Sequence, residues 1–231
     1  MEICAQTGIS PHTKKDIMKK LILILAMGIS SLAASAQFEG AKQVYEVADL
    51  SGHTGQHKLV AILPFDTKIT YKKQPKGFSA EANREQEITM SKNIQLSMFT
   101  FLLRRKESYS VQFQDPERTN ILLKKAGMID KMDTFTKEEI AKVLGADAVL
   151  GGRFETEQTK SEAGALASAV LLGGFGGKTG TGTLFLTLNE AGSGELLWRM
   201  FKTMDANITS STDDLIERMM RKVARNFPYS K

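Results

Sequence analysis

What most constrains this chain lies near its amino end. Met18-Lys19-Lys20 is a short basic stretch, Leu21 to Ala34 is an apolar run broken only by Gly28, Ser30 and Ser31, and Ala34-Ser35-Ala36 places small residues ahead of Gln37. That order is the pattern of a secretory leader cut between Ala36 and Gln37. A run of about 14 residues falls short of the roughly 20 that a membrane-crossing helix needs. Residues 1–17 are not leader-like, which points to Met18 as the start of translation.

Processing there would remove Cys4, the one cysteine of the chain, so the exported protein would hold together with neither a thiol nor a disulfide. The composition allows this: of 231 residues, 42% are hydrophobic and 25% charged, enough apolar material for one sizeable core without a staple. The formal net charge of +5 overstates the basicity, because the leader carries Lys14, Lys15, Lys19 and Lys20 against Glu2 and Asp16. Acidic and basic residues alternate along the remainder, with no concentrated positive stripe of the kind nucleic-acid binding uses. No cysteine follows the cleavage position, so a lipid anchor is not expected. The expected location is periplasmic or secreted.

Residues 37–57 read as a polar lead. Lys58 to Phe65 is a continuous apolar run ended at Pro64, the pattern of a strand buried on both faces. A polar loop with Pro75 and Gly77 leads to a helix over 79–105, whose Met90, Ile94, Met98, Phe101 and Leu102 recur at helical spacing. Tyr109–Phe113 alternates as a short strand. Asp115-Pro116 opens a helix that Gly127 stops, and Thr136 with Glu139 forms a capping box for a helix that Gly145 stops. Phe135 and Ile140 are placed to staple that second start. Ala146–Phe154 follows as a buried strand.

Two runs, Leu184–Leu188 and Glu195–Phe201, flank the turn-forming Asn189–Gly194. A last helix, from about Asp213 to Phe227, carries Leu215, Ile216, Met219 and Val223 on one stripe. Helical crossovers imply parallel neighbours and a tight turn implies antiparallel ones. The expected fold class is therefore α/β: a single domain over 58–231 with a mixed, mainly five-stranded sheet, helices packed on it, and a β-hairpin and C-terminal helix at the end.

Little in the sequence carries chemistry. Gly173–Thr179 fails as a phosphate loop, because Leu172 stands where the first glycine is required and a strand, not a helix, follows. His53 and His57 have the spacing that would put two imidazoles on one helix face for a metal, but Gly52 and Gly55 disfavour a helix and no third ligand is near. They read as solvated loop histidines. Glu155 and Glu157 leave one side of a strand, as an acid and base of a hydrolase would, but alternate polar residues at a strand end are usually its wet face, so a periplasmic hydrolase is only a further alternative. No cofactor is expected, and a non-enzymatic role is favoured. The most unusual stretch is 161–182, in which Ala163–Leu172 is a small-residue apolar run without charge, followed by a glycine-rich turn. It either packs as a short helix over the sheet or offers Leu166, Val170, Leu171, Leu172 and Phe175 to a partner chain or membrane interface.

Three stretches in order, Val60–Phe65, Leu144–Gly152 and Leu188 through Gly194-Glu195-Leu196-Leu197-Trp198, resemble the CsgG-like superfamily of bacterial envelope proteins over about residues 58–227. That group includes the curli secretion channel, the TolB amino-terminal domain and LpoB-type activators of peptidoglycan synthases. The Ala–Gln cleavage site resembles those of exported Bacteroidetes proteins. The resemblance implies a non-catalytic accessory protein that binds an envelope protein or cell-wall component, often as a homo-oligomer, and any peripheral membrane contact would fall to the 161–182 stretch. A secretion-channel subunit is the alternative the resemblance brings. Channel-forming relatives need two membrane hairpins, and only about a dozen residues separate Trp198 from the last helix, too few for a second.

Overall fold

Seven strands and five α-helices are present in the computed structural model, which describes residues 42–158, 180–206 and 212–231. In chain order they are β1 (Lys42–Glu46), α1 (Leu50–Thr54), β2 (Leu59–Ile62), β3 (Asp66–Tyr71), α2 (Ala80–Leu103), β4 (Gln112–Gln114), α3 (Pro116–Lys125), α4 (Lys137–Leu144), β5 (Ala148–Gln158), β6 (Gly180–Glu190), β7 (Leu196–Ala206) and α5 (Thr212–Ala224). The strands make one open mixed sheet in the order β1-β7-β6-β5-β2-β4. Strand β5 is long enough to hold two parallel neighbours on one side, β2 along Ala148–Leu150 and β3 along Arg153–Gln158. On its other side β5, β6, β7 and β1 run antiparallel in sequence.

The helices begin and end where local chemistry supplies partners. Ser79 Oγ accepts from Ala82 N at 3.2 Å to start α2, and Asp115 Oδ1 accepts from Glu117 N at 2.8 Å to start α3 behind Pro116. The capping box of α4 is complete: Glu139 N donates to Thr136 Oγ1 at 3.2 Å and Thr136 N to Glu139 Oε2 at 2.8 Å. Gly145 ends α4 at φ 62°, the left-handed conformation that favours glycine.

Two cores form on opposite sides of the sheet. On one side Ile94, Met98 and Leu102 of α2 and Met219 and Val223 of α5 pack on Val60, Ile62, Phe154, Leu186, Leu188 and Trp198. On the other, Leu123 of α3 and Ile140, Ala141 and Leu144 of α4 pack on Ala61, Leu63 and Val149. Residues Val60 and Ile62 thus enter one core and Ala61 the other, so β2 is buried on both faces as its apolar run implies.

The α/β class, the mixed sheet, the hairpin and the last helix agree with expectation, whereas the strand number does not. The sheet has seven strands because two polar segments pair with it. Residues 42–46, placed in a polar lead, form β1 against β7. Residues 66–71 form β3, where only Thr67 and Ile69 turn inward and the alternate positions stay wet. The second strand is Gln112–Gln114, shifted toward α3 from the expected 109–113. Gly180–Gly182 belong to β6, not to the Ala/Gly-rich insertion. The rest of that insertion, with Leu166, Val170, Leu171, Leu172 and Phe175, lies outside the described residues, as do the Ala36–Gln37 cleavage position and the side chains of Leu215 and Ile216.

Candidate functional site

The pairing of β5, β6 and β7 sets residues in rows across the sheet, and alternate rows face opposite sides. One set of rows, Phe154–Leu184–Lys202, Gly152–Leu186–Met200 and Leu150–Leu188–Trp198, faces α2 and α5. The intervening rows are Glu155–Thr183–Thr203, Arg153–Phe185–Phe201 and Gly151–Thr187–Arg199, and β1 extends the last two with Gln43 and Tyr45. On that second side α3 and α4 cover the part of the sheet over Ala61 and Val149. No described helix covers the rest.

Aromatic and arginine side chains populate this helix-free area. The Phe185 and Phe201 rings lie 4.9 Å apart, both half-buried, and the Arg199 guanidinium stands 5.9 Å over the Phe185 ring. Arg153 Nε donates to Asp66 Oδ2 at 2.8 Å, and its Nη1 reaches Glu155 Oε1 at 3.5 Å. Thr183 and Thr203 share a hydroxyl hydrogen bond of 3.1 Å. Tyr45 is 52% exposed. A flat surface of rings, guanidiniums and threonine hydroxyls is suited to burying a partner while satisfying its polar groups. Glu155, one of the two carboxylates weighed as an alternative acid–base pair, is here an ion-pair partner of Arg153.

A second cluster joins three distant parts of the chain. His53 Nδ1 lies 2.7 Å from Glu190 Oε2, His57 Nε2 lies 3.0 Å from Glu190 Oε1, and His57 Nδ1 lies 2.7 Å from the Tyr229 hydroxyl. The reading of His53 and His57 as solvated loop histidines is therefore wrong: His57 is 6% exposed and Tyr229 1%. Helix α1 forms despite Gly52 because Asp49 Oδ1 accepts from Gly52 N at 3.2 Å and the His–Glu bonds hold the turn from outside. The four-residue spacing does bring both imidazoles to one side, where they meet a carboxylate. Among the described residues no three His, Cys, Asp or Glu are grouped to hold a metal ion.

Burial opposes ionisation of Glu190, but the hydrogen bonds and charges of His57 and His53 outweigh it, so its carboxyl sits below the usual range. An ionised Glu190 only accepts, so His57 Nε2 donates to it, while His57 Nδ1 shares a hydrogen bond with the Tyr229 hydroxyl. Burial, then the charges of Glu190 and Asp147, push the Tyr229 phenol well above its usual range. Asp147 is likewise held low: burial opposes this, yet Lys58 N and Leu59 N donate to its Oδ2 at 2.8 and 2.9 Å, and His57 and Lys58 add their charges. With both Glu190 oxygens occupied and the phenol protonated and buried, the cluster is built to fasten α1 and the C-terminal segment to the end of β6. Sequence could not have paired His53 with Glu190 at a separation of 137 residues. No described helix is long and apolar enough to cross a membrane.

No family model matches the chain, and no curated protein matches it. Solved structures similar to it include a PelC dodecamer from Paraburkholderia phytofirmans, at 12% identity and a TM-score of 0.44 over 83% of this chain and 99% of that one. Lipoprotein GNA1162 from Neisseria meningitidis is 12% identical with a TM-score of 0.40 over 73% of this chain and 96% of that one. The LpoB C-terminal domain from Escherichia coli is 12% identical with a TM-score of 0.32 over 67% and 91%. At these scores the function has to be argued from the residues of this chain.

Proposed function

We propose that this chain is an exported, non-catalytic envelope protein of the CsgG-like type that works by binding a protein or cell-wall partner. The observation that carries the reading is the helix-free side of the sheet, where Phe185, Phe201 and Arg199 share one surface on two paired antiparallel strands, β6 and β7. Strands hold such a surface more accurately than loops. Residues 163–177, which carry no charge, lie in sequence between β5 and β6, and Leu166, Val170, Leu171, Leu172 and Phe175 among them are proposed as a second part of the contact. Export follows from the leader ending at Ala36, and it supplies the compartment in which such partners are met.

A photo-crosslinking residue in place of Phe201 in the living host tests the surface, with Ser51, exposed on α1, as the control position. Adducts of discrete mass at Phe201 but not at Ser51 are expected, and replacement of residues 163–177 by a short linker should weaken them. Adducts at Ser51 with none at Phe201 would refute the surface. Amino-terminal sequencing of the purified chain should begin at Gln37. An unprocessed chain in the cytosol would refute export.

A further inference from the structure

An open sheet exposes unpaired backbone groups at its edges, and this sheet deals with its three edges unequally. At the β3 edge, α2 supplies the missing partners: Ile69 N donates to Glu87 Oε1 at 3.0 Å and Asn83 Nδ2 donates to Ile69 O at 3.3 Å. At the β4 edge the strand is only three residues long, and the C-terminal segment extends its line, with Tyr109 bridged to Ser230 and Lys231 N donating to Ser108 O at 2.9 Å. Among the described residues, strand β1 has neither protection. Gln43 to Glu46 are all exposed, Val44 at 40% and Tyr45 at 52%, and the strand contains no proline.

The backbone phase of β1 is fixed by its pairing with β7. Val47 N donates to Leu197 O at 3.0 Å, and the unbroken register sets Tyr45 opposite Arg199 and Gln43 opposite Phe201. Hydrogen-bonded pairs alternate along an antiparallel ladder, so Gln43, Tyr45 and Val47 turn their N–H and C=O toward β7. Those of Lys42, Val44 and Glu46 point away from the sheet, and no described residue takes them up.

We propose that this edge pairs with β1 of a second copy of the chain, antiparallel, with Val44 opposite Val44. In that register the three outward-facing residues of each copy meet the three of the other, and every outward N–H and C=O finds a partner. The same register sets Lys42 of each copy opposite Glu46 of the second copy, two pairs of opposite charge. A slip by one residue matches outward groups to inward ones, and a slip by two separates both charge pairs. A two-fold axis perpendicular to the sheet then carries one continuous sheet through both copies. Gln43 and Tyr45 of each copy lie on the same side as Phe185 and Phe201, so the two helix-free surfaces join across the axis. The pairing does not depend on what those surfaces bind.

Sedimentation of the protein, purified as its cell makes it, tests this over a hundredfold range of concentration. A reversible dimer is expected. Val44→Pro removes an N–H that faces away from β7, so the fold is kept while two intermolecular hydrogen bonds are lost, and Kd should rise about tenfold or more. Lys42→Glu and Glu46→Lys should each weaken self-association several-fold, whereas a mixture of the two variants should give a mixed dimer. The double variant should dimerise as the parent does. A monomer across the whole range would overturn the proposal, as would a dimer indifferent to Val44→Pro and to the charge variants. If Val44→Pro fails to fold, the mixing experiment decides alone.

Discussion

Strands β6 and β7 present two surfaces made from alternate residues of the same backbone, and the two are built to different specifications. On the side under α2 and α5, Leu184, Leu186, Leu188, Trp198 and Met200 are each no more than 4% exposed. On the other side Thr183, Phe185 and Phe201 are half-buried and Arg199 is exposed. The period of two means that neither surface constrains the other residue by residue. One face is thereby free to hold the fold while the other is free to carry rings and guanidiniums that the fold does not need.

This contrast is most readily broken on the covered face. Trp198 is fully buried and its ring lies 6.1 Å from that of Phe227 in an edge-on arrangement, so Trp198→Ala empties the centre of the larger core. A loss of about 3–5 kcal/mol in unfolding free energy is expected, read from the urea midpoint at unchanged slope. Its indole Nε1 has no hydrogen-bond partner among the described residues, so Trp198→Phe should cost clearly less than Trp198→Ala. Gly152 shows the same face from the opposite direction. A Cβ there would stand 2.6 Å from the Phe65 ring and collide with the Phe185 carbonyl oxygen, so Gly152→Ala should cost about 1–3 kcal/mol by overpacking.

The covered face was also the more readable from sequence. Apolar runs such as Val60–Phe65 and capping signals such as Thr136–Glu139 are local, and each predicts its element directly. Strand β1 was hidden because Lys42-Gln43-Val44-Tyr45-Glu46 buries no described side chain and so has no apolar alternation to show. Strand β3 was hidden because only Thr67 and Ile69 turn inward. The His53–Glu190–His57–Tyr229 cluster was half visible: the histidine spacing is a sequence fact, but the carboxylate that gives it meaning arrives from the far end of β6. The surface of Phe185, Phe201 and Arg199 needed the register of β6 against β7, which composition and periodicity do not fix.

The cluster itself gives a pH-dependent way to sharpen the comparison, since it fastens α1 beside the end of β6. Glu190 and Asp147 both titrate lower in the folded chain than their usual values. A carboxyl whose folded pKa is depressed contributes stability above its unfolded pKa, about 4, and loses it as pH falls through the folded value. Unfolding free energy should therefore decline from about pH 5 downward. Glu190→Gln should reduce stability at pH 7 by about 1–2 kcal/mol and flatten that decline, because the ionised acceptor for two imidazoles is gone. An unaltered acid slope in Glu190→Gln would mean that other carboxyls set it.

The smallest expected effect on stability falls on the helix-free face, and there it is the informative one. Phe185 and Phe201 contact each other, and Arg199 lies over one of them, but no described helix packs on them. Removing one ring forfeits the pair interaction and part of one side chain's burial, so Phe185→Ala should cost no more than about 1–1.5 kcal/mol by urea unfolding. If the face is a binding surface, the same substitution should abolish the adducts formed at position 201, because an interface depends on a few aromatic and arginine anchors. A stability loss comparable with that of Trp198→Ala would instead place Phe185 in a load-carrying core, and the division of labour between the two faces would fail.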